Sequence, residues 1–219
     1  MPRKENLRDK IYETLKRQII TNELPPNSYL DEKVLCAQMQ VSRTPFREAI
    51  SKLESDKFVA VVPQRGVTVS DLSIQSVIEL FQVRKELEPL VLKMCKRIDK
   101  DKLLAFRTAT EEALKKQDYS GLRRLDHELH LFLLASSENR HMIHIMTYIS
   151  DQYQRVLEAQ KYMRDQRAVR GAKEHIALIN ALLGDKQEEA CSLMRQHIVT
   201  TEQFYYKSLM GEPAEEDGK

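Results

Sequence analysis

The chain has 219 residues, a formal net charge of +2, six glycines and no tryptophan. Its length exceeds that of one small domain, so we expect two domains, and its composition is typical of a mostly helical protein. The sequence contains no run of roughly twenty apolar residues that could span a membrane, and its polar start lacks the apolar centre of a signal peptide. We therefore expect a cytoplasmic protein with no membrane partner.

Two helices are predicted before residue 41. An apolar stripe at helical spacing consists of Leu7, Ile11, Leu15 and Ile19. The prolines within residues 24–27 end this first helix, because proline lacks an amide donor. A second, short helix is predicted to begin near Asp31, and Val41 is expected to close the turn after it. Its inward-facing residues are predicted to be Val34, Leu35 and Ala37.

Residues 41–50, Val-Ser-Arg-Thr-Pro-Phe-Arg-Glu-Ala-Ile, predict the start of a third helix with two different faces. Ser42 or Thr44 can cap this helix, and Pro45 fits its first turn, where no amide donor is needed. The residues predicted to face the core are Phe46, Ala49, Ile50 and Leu53. The residues left on the outer face are Arg43, Thr44, Arg47 and Ser51. Basic and hydroxyl side chains at a helix start suit the DNA major groove, which indicates the recognition helix of a helix-turn-helix.

Two β-branched runs follow, at residues 58–62 and 67–69, and Pro63-Gln64-Arg65-Gly66 separates them. This pattern predicts a β-hairpin with an arginine at its tip. Three helices and a basic hairpin together predict a winged helix-turn-helix, which we assign to residues 1–72.

The block at residues 30–53, together with Gly66, resembles the DNA-binding domain of the GntR family of bacterial transcription regulators. The resemblance covers roughly residues 7–70. The DNA contacts that it implies are Arg43, Thr44 and Arg47 in the helix, Arg65 and Gly66 in the wing, and Lys33 at the start of the second helix. Relatives often have a phosphate-binding arginine at the position of Lys33. Lysine supplies the positive charge there but cannot make the two parallel hydrogen bonds of a guanidinium group. The alternative is that Arg43 and Arg47 form only a solvated helix face.

From residue 73 onward the chain shows no strand alternation, which predicts an all-α bundle of six helices, so that the whole protein is mainly α. The predicted helices are residues 73–97, 99–117, 120–136, 139–164, 166–183 and 186–209. We assign this domain to residues 73–210. The acidic tail at residues 211–219 lacks large apolar side chains and is predicted to be disordered.

The first helix of this domain has an arginine, Arg84, in the middle of its apolar stripe. The stripe consists of Val77, Leu80, Leu87, Val91 and Met94. An arginine at such a position requires an anionic partner. That partner is either an internal carboxylate, such as Glu88 one helical turn away, or the carboxylate of a ligand.

Three later helices each place a histidine on an apolar face. Asp126 and His130 are four residues apart and so share a helix face, while His175 and His197 lie among aliphatic residues of two further helices. Imidazole nitrogens and a carboxylate oxygen suit a divalent transition metal such as zinc, nickel or manganese. The alternative is a set of ordinary core histidines that bind no metal.

The pattern Asp126-x-x-x-His130, then His175, then His197 resembles the metal-binding pattern of the FCD ligand-binding domain, the six- or seven-helix bundle that is the partner domain in one GntR branch (FadR-like). Arg84, in the segment Val83-Arg84-x-x-Leu87-Glu88, also matches that domain. The resemblance implies that the metal helps to hold a small carboxylate effector near Arg84.

These features predict a ligand-responsive transcription regulator. The resemblance implies a homodimeric repressor that reads the two half-sites of a pseudo-palindromic operator in double-stranded DNA. One alternative is an enzyme in which the metal activates water to act on a small organic acid. A second alternative is a metal sensor, in which the ion itself is the signal.

Overall fold

The computed structural model describes residues 6–63, 66–159 and 164–209, and these form nine α-helices and three short β-strands. The N-terminal elements are α1 (Leu7–Ile20), β1 (Tyr29–Leu30), α2 (Glu32–Met39), α3 (Arg43–Ser55), β2 (Val59–Val62) and β3 (Gly66–Val69). The helices that follow are α4 (Ile74–Met94), α5 (Lys100–Lys116), α6 (Tyr119–Ser136), α7 (Arg140–Ala159), α8 (Arg164–Leu183) and α9 (Gln187–Leu209). The predicted fold class, a winged helix-turn-helix before a helical bundle, is confirmed.

The chain divides into two compact units. The first contains the elements up to Val77 together with Asp151–Ala159 of α7, and the second contains the rest of the described chain. Within the first unit, Lys16 Nζ lies 2.5 Å from a carboxylate oxygen of Asp151. The predicted domain limits at residues 72 and 210 remain predictions, and the tail at residues 211–219 lies outside the described residues.

The core of the first unit is formed mainly by α1 and α3. The buried core residues on these two helices are Ile11, Tyr12, Leu15, Ile19, Phe46, Ala49, Ile50 and Leu53. All four residues that were predicted to face the core from α3 are therefore buried. Leu7, at the first position of α1, is instead 48% exposed. Burying a large aliphatic or aromatic side chain stabilises the fold by about 1.5–3 kcal/mol.

Helix α2 buries a different face from the predicted one. Asp31 caps it by accepting a hydrogen bond from the amide of Val34 at 3.0 Å. Leu35 packs against the core as predicted, but Val34 and Ala37 are exposed and Cys36 is buried in their place. The prediction for Val34 and Ala37 is wrong because apolar residues lie on both sides of this eight-residue helix, so their spacing does not determine which side faces inward.

The three strands form one antiparallel sheet in the order β1-β3-β2. The pairing of Val59–Val62 with Gly66–Val69 confirms the predicted hairpin. The sequence pattern did not predict β1, because two residues are too few to show alternation. Gly66 has a φ of +86°, and a Cβ built at this position would lie 2.7 Å from Cε2 of Tyr29 on β1. Backbone conformation and the Tyr29 ring therefore both favour glycine here.

The second unit is a helical bundle with an aliphatic and aromatic interior. Its fully buried large side chains are Phe81, Leu92, Leu103, Leu129, Leu133, Leu178 and Ile179. The six predicted helices agree with the observed ones to within a few residues, although the predicted end of the fourth at residue 164 follows the undescribed residues 160–163. Among the described ranges, no helix combines the length and apolar character needed to cross a bilayer.

Replacing Gly66 with alanine is expected to lower the free energy of unfolding by about 1–2 kcal/mol. An L-residue disfavours a φ of +86°, and the new methyl group would overlap the ring of Tyr29. Chemical denaturation followed by circular dichroism measures the effect. Gly184→Ala is the control, because a Cβ at that position would meet no atom closer than 3.4 Å. Equal stability of the two variants would contradict the assigned wing conformation.

Candidate functional site

The outer face of α3 presents the arginines that were predicted to contact DNA. The side chains of Arg43 and Arg47 are 68% and 67% exposed, and Thr44 is exposed beside them. Arg47 donates from Nε to both carboxylate oxygens of Glu32 at 3.1 Å, while Arg43 Nε lies 3.7 Å from the same carboxylate. Ion pairs this exposed contribute little to stability. Glu32 therefore orients the two guanidinium groups without burying them.

The other predicted DNA contacts lie on α2 and in the wing. Lys33 is exposed in the first turn of α2. Gly66 begins β3, where its positive φ gives a conformational reason for the glycine. Arg65 lies outside the described residues, so its position at the hairpin tip stays a prediction.

Three helices of the second unit bring together the four predicted metal ligands. Asp126 and His130 lie on α6, His175 on α8 and His197 on α9, and one ligand atom of each lies within 4.8 Å of the others. Nε2 of His175 is 3.3 Å from Nε2 of His130 and 3.5 Å from Oδ1 of Asp126. Nε2 of His197 is 3.9 Å from the same Asp126 oxygen. The cluster predicted from the sequence is therefore assembled in space.

The three remaining histidines do not belong to this cluster. His141 and His144 are exposed on α7, and His127 is half-buried on α6. This separation agrees with the sequence pattern, in which these three histidines fall outside the spacing of the ligand set.

Behind His130, the cluster is bordered by a buried ion pair. Glu88 Oε2 lies 2.6 Å from Nδ1 of His130, and Oε1 of Glu88 accepts a hydrogen bond from Nε of Arg84 at 2.5 Å. Both members of the pair are buried, at 3% exposure for Arg84 and 7% for Glu88. The sequence left open whether Arg84 pairs with Glu88 or awaits a ligand, and the structure shows the internal pair.

A second arginine and carboxylate border His197. Nδ1 of His197 lies 2.8 Å from Oε2 of Glu174, and that oxygen also accepts a hydrogen bond from Nη2 of Arg167 at 3.0 Å. Arg167 contacts Thr201 Oγ1 as well. The sequence analysis missed Glu174 and Arg167. Their spacing of seven residues on α8 places them on one helix face, and this was the available signal.

Burial and charge set the protonation of the histidines differently. Burial lowers the pKa of His175 to about 4 and the pKa of His197 well below its usual value, so both imidazoles are neutral near pH 7. Burial acts in the same direction on His130, but the Glu88 carboxylate outweighs it and raises the pKa of His130. The pKa of Glu88 falls to about 2 in spite of burial, because Arg84 and His130 stabilise the carboxylate.

The donor set of the cluster fits a divalent transition metal. Asp126 supplies an anionic oxygen, since the neighbouring histidines lower the pKa of its carboxyl group against the effect of burial. In the tautomer of His197 whose Nδ1–H donates a hydrogen bond to Glu174, Nε2 carries a lone pair on the side of Asp126. Buried lone pairs and carboxylate oxygens that face one another repel unless a proton or a cation lies among them. Imidazole nitrogen and carboxylate oxygen are ligands that zinc, nickel and manganese accept.

Two protein-family models match the chain. The model described as "Bacterial regulatory proteins, gntR family" matches residues 7–69, and the FCD domain model matches residues 79–200. The first range contains the winged helix-turn-helix, and the second contains all four residues of the histidine and aspartate cluster. The chain therefore belongs to the gntR family of bacterial transcription regulators, in the FadR-like branch that carries an FCD domain.

Curated relatives of similar length are also regulators. YdhC of Bacillus subtilis (strain 168), an uncharacterized HTH-type transcriptional regulator, is 26% identical over 86% of this chain and 84% of its own. The HTH-type transcriptional repressor GlaR of Escherichia coli (strain K12) is 23% identical over 91% of this chain and 96% of its own. The solved structure of E. coli McbR/YncC has the same fold, with a TM-score of 0.79 and 19% identity over 93% of this chain and 99% of that one. The prediction of a regulator is confirmed, and the enzyme alternative is dropped.

Proposed function

We propose that this regulator binds a pseudo-palindromic operator as a homodimer in the cytoplasm, and that it represses transcription until a small carboxylate effector binds at a metal centre in the FCD domain. The observation that carries this proposal is the convergence of Asp126, His130, His175 and His197 within 4.8 Å. The repressor assignment is supported by the similarity to GlaR, which is itself named a repressor.

The recognition helix of each protomer would enter the major groove of one half-site. Arg43, Thr44 and Arg47 would contact base edges and phosphates, because their side chains are exposed on the outer face of α3. Lys33 would bind a phosphate, and the wing would contribute Arg65 and Gly66. The small net charge of +2 means that affinity depends on these placed side chains rather than on a strong overall field.

Replacing Arg47 with alanine is expected to weaken operator binding by about 5- to 150-fold, the range that corresponds to one lost arginine contact. Operators are first selected from a random pool of duplexes with the wild-type protein, and affinities are then measured by gel retardation at fixed salt. Arg17→Ala is the control, because Arg17 is also exposed and paired with a glutamate, Glu23, but lies on α1. If Arg47→Ala bound the operator as tightly as Arg17→Ala, α3 would not be the recognition helix.

Asp126, His130, His175 and His197 would hold the metal ion, with zinc, nickel or manganese as the candidates. A bound divalent ion supplies a Lewis-acidic centre that binds carboxylate oxygens directly. The surrounding charges favour an anionic ligand once the ion is present. Beside the cluster lie the carboxylates of Glu88 and Glu174 and the guanidinium groups of Arg84, Arg167 and Arg170. The ion and Asp126 would add a charge of about +1 to this set, so the loaded site would be positive.

The effector would be a small carboxylate that contacts the metal ion and a nearby arginine. Two donors of Arg167, Nε and Nη1, are buried and have no hydrogen-bond partner in the described part of the chain, which is a condition that an anionic ligand relieves. Arg84 would act on the effector through its charge, because Glu88 already accepts from its Nε. The effector can change operator affinity only if it binds the DNA-bound and DNA-free conformations of the protein with different affinities. The change in operator affinity then equals the ratio of those two effector affinities.

Replacing His197 with alanine is expected to reduce the metal content of the purified protein from about one ion per chain to a small fraction of that value, because one of four ligands is lost. Elemental analysis by mass spectrometry measures the content. His144→Ala is the matched control, since His144 is exposed and lies outside the cluster. Unchanged metal content in His197→Ala would show that the four residues are a structural cluster.

A small carboxylate that raises the melting temperature of the metal-loaded protein is expected to weaken operator binding, by about 5- to 150-fold for a typical allosteric coupling. A panel of organic and sugar acids is screened by thermal shift and then by gel retardation. The same acids should have no effect on His197→Ala. If chelation alone released the operator and no acid did, the protein would be a metal sensor instead.

A further inference from the structure

Two of the three histidines in the cluster have a carboxylate at the nitrogen that faces away from the cluster. Nδ1 of His197 lies 2.8 Å from Oε2 of Glu174, and Nδ1 of His130 lies 2.6 Å from Oε2 of Glu88. The His197 contact is a charge-assisted hydrogen bond, whereas the His130 contact is a short ion pair in which Oε2 of Glu88 has no aligned hydrogen-bond donor among the described residues. The two glutamates lie on α8 and α4, so two different helices each place a carboxylate beside Nδ1 of a histidine.

Each of these carboxylates is held by an arginine of its own helix. Arg84 donates to Glu88 within α4, and Arg167 donates to Glu174 within α8. Gly171 leaves room for the second arginine, because a Cβ at that position would lie 3.2 Å from Nη1 of Arg167. Nε of Arg170 lies 3.4 Å from the other oxygen of Glu174 as well. Each network therefore joins a histidine to a glutamate that is paired with arginine from the same helix, although the two come from different segments of the chain.

We propose that Glu88 and Glu174 are positioning residues that hold a proton on Nδ1 of His130 and His197, so that Nε2 is the nitrogen that each imidazole presents to a divalent cation, which displaces any proton held there. The inference rests on the proposed metal centre. A carboxylate accepts hydrogen bonds and does not donate them, so it stabilises the tautomer that carries a proton on Nδ1. Outer carboxylates of this kind fix the orientation of histidine ligands and raise their basicity.

The surroundings of His197 show why the carboxylate is needed for this tautomer. Nη2 of Arg167 also lies 3.2 Å from Nδ1 of His197, and a guanidinium group can only donate. Arg167 alone would therefore favour an unprotonated Nδ1 and place the proton on Nε2, where it blocks metal binding. Glu174 reverses this preference, and Nη2 of Arg167 also lies within hydrogen-bond distance of Glu174, of the carbonyl oxygen of His197 and of Thr201.

Glutamine substitutions test the assignment, because an amide keeps the size of the side chain but can donate to Nδ1. Glu88→Gln and Glu174→Gln are each expected to weaken Co²⁺ binding by about 10- to 100-fold. The metal-free full-length protein is titrated with Co²⁺ against a competing chelator, and the visible absorption of the bound ion reports occupancy. Glu202→Gln is the matched control, because Glu202 is a buried α9 glutamate whose partners, Lys85 and Tyr206, do not belong to the cluster. It is expected to keep wild-type affinity within about twofold.

Nitrogen NMR of the imidazoles supplies a second readout that a merely structural role would not change. In the metal-free wild type, His197 should carry its proton on Nδ1, and in Glu174→Gln the proton should move to Nε2. Circular dichroism checks that each variant is folded. Glu174→Asp keeps the carboxylate and is used as a second variant in case Glu174→Gln folds poorly. It should keep the proton on Nδ1 of His197 and bind Co²⁺ more tightly than Glu174→Gln does.

The outcomes separate this inference from the function on which it rests. If the wild-type protein binds Co²⁺ and both glutamine variants bind it as tightly as Glu202→Gln does, the positioning role is wrong while the metal centre stands. The positioning role is also wrong if His197 of the metal-free wild type carries its proton on Nε2. Failure of the wild-type protein to bind Co²⁺ would overturn both the metal centre and the inference.

Discussion

The structure of the FCD domain depends on the burial of three imidazoles and a carboxylate at a single point between α6, α8 and α9. Buried polar groups destabilise a fold unless each of them has a partner, so the three helices must hold these side chains at hydrogen-bonding or metal-binding distance. Fully buried aliphatic residues beside the histidines fix the helix positions. They are Leu129 next to His130, Leu178 and Ile179 one turn after His175, and Ile198 next to His197. Because such interiors are close-packed, the position of one ligand constrains the others.

Arginine serves two different purposes in this chain, and solvent exposure separates them. Beside the histidine cluster Arg84 is buried and Arg167 is 11% exposed, so an unpaired charge there would be destabilising, and each is held by a glutamate of its own helix. Arg43 and Arg47 are mostly exposed, so their shared contact with Glu32 contributes little to stability and mainly sets their direction. The arginines beside the cluster border a site inside the bundle, and the exposed ones are accessible for the DNA contacts that we propose.

The same cluster links the two ligands that we propose for the FCD domain. Without a cation, the three carboxylates of Glu88, Asp126 and Glu174 face three guanidinium groups, those of Arg84, Arg167 and the more exposed Arg170. A divalent ion would add positive charge to this balanced set and so favour the binding of an organic anion. The effector response would therefore require a bound metal ion. The orientation of the histidines would set the affinity for that ion.

Much of this organisation is determined by the sequence itself, because residue spacing decides which side chains share a helix face. The apolar face of α3, its outer arginines, the six helices of the bundle and the membership of the four-residue cluster all follow from spacing and family resemblance. Spacing did not determine the inward face of α2, where apolar residues lie on both sides, or the two-residue strand β1. It also left the partner of Arg84 open and gave no role to Glu174 or Arg167. Tertiary packing decides those features, because they depend on which faces of the helices and strands are in contact. Residue spacing within one element does not contain that information.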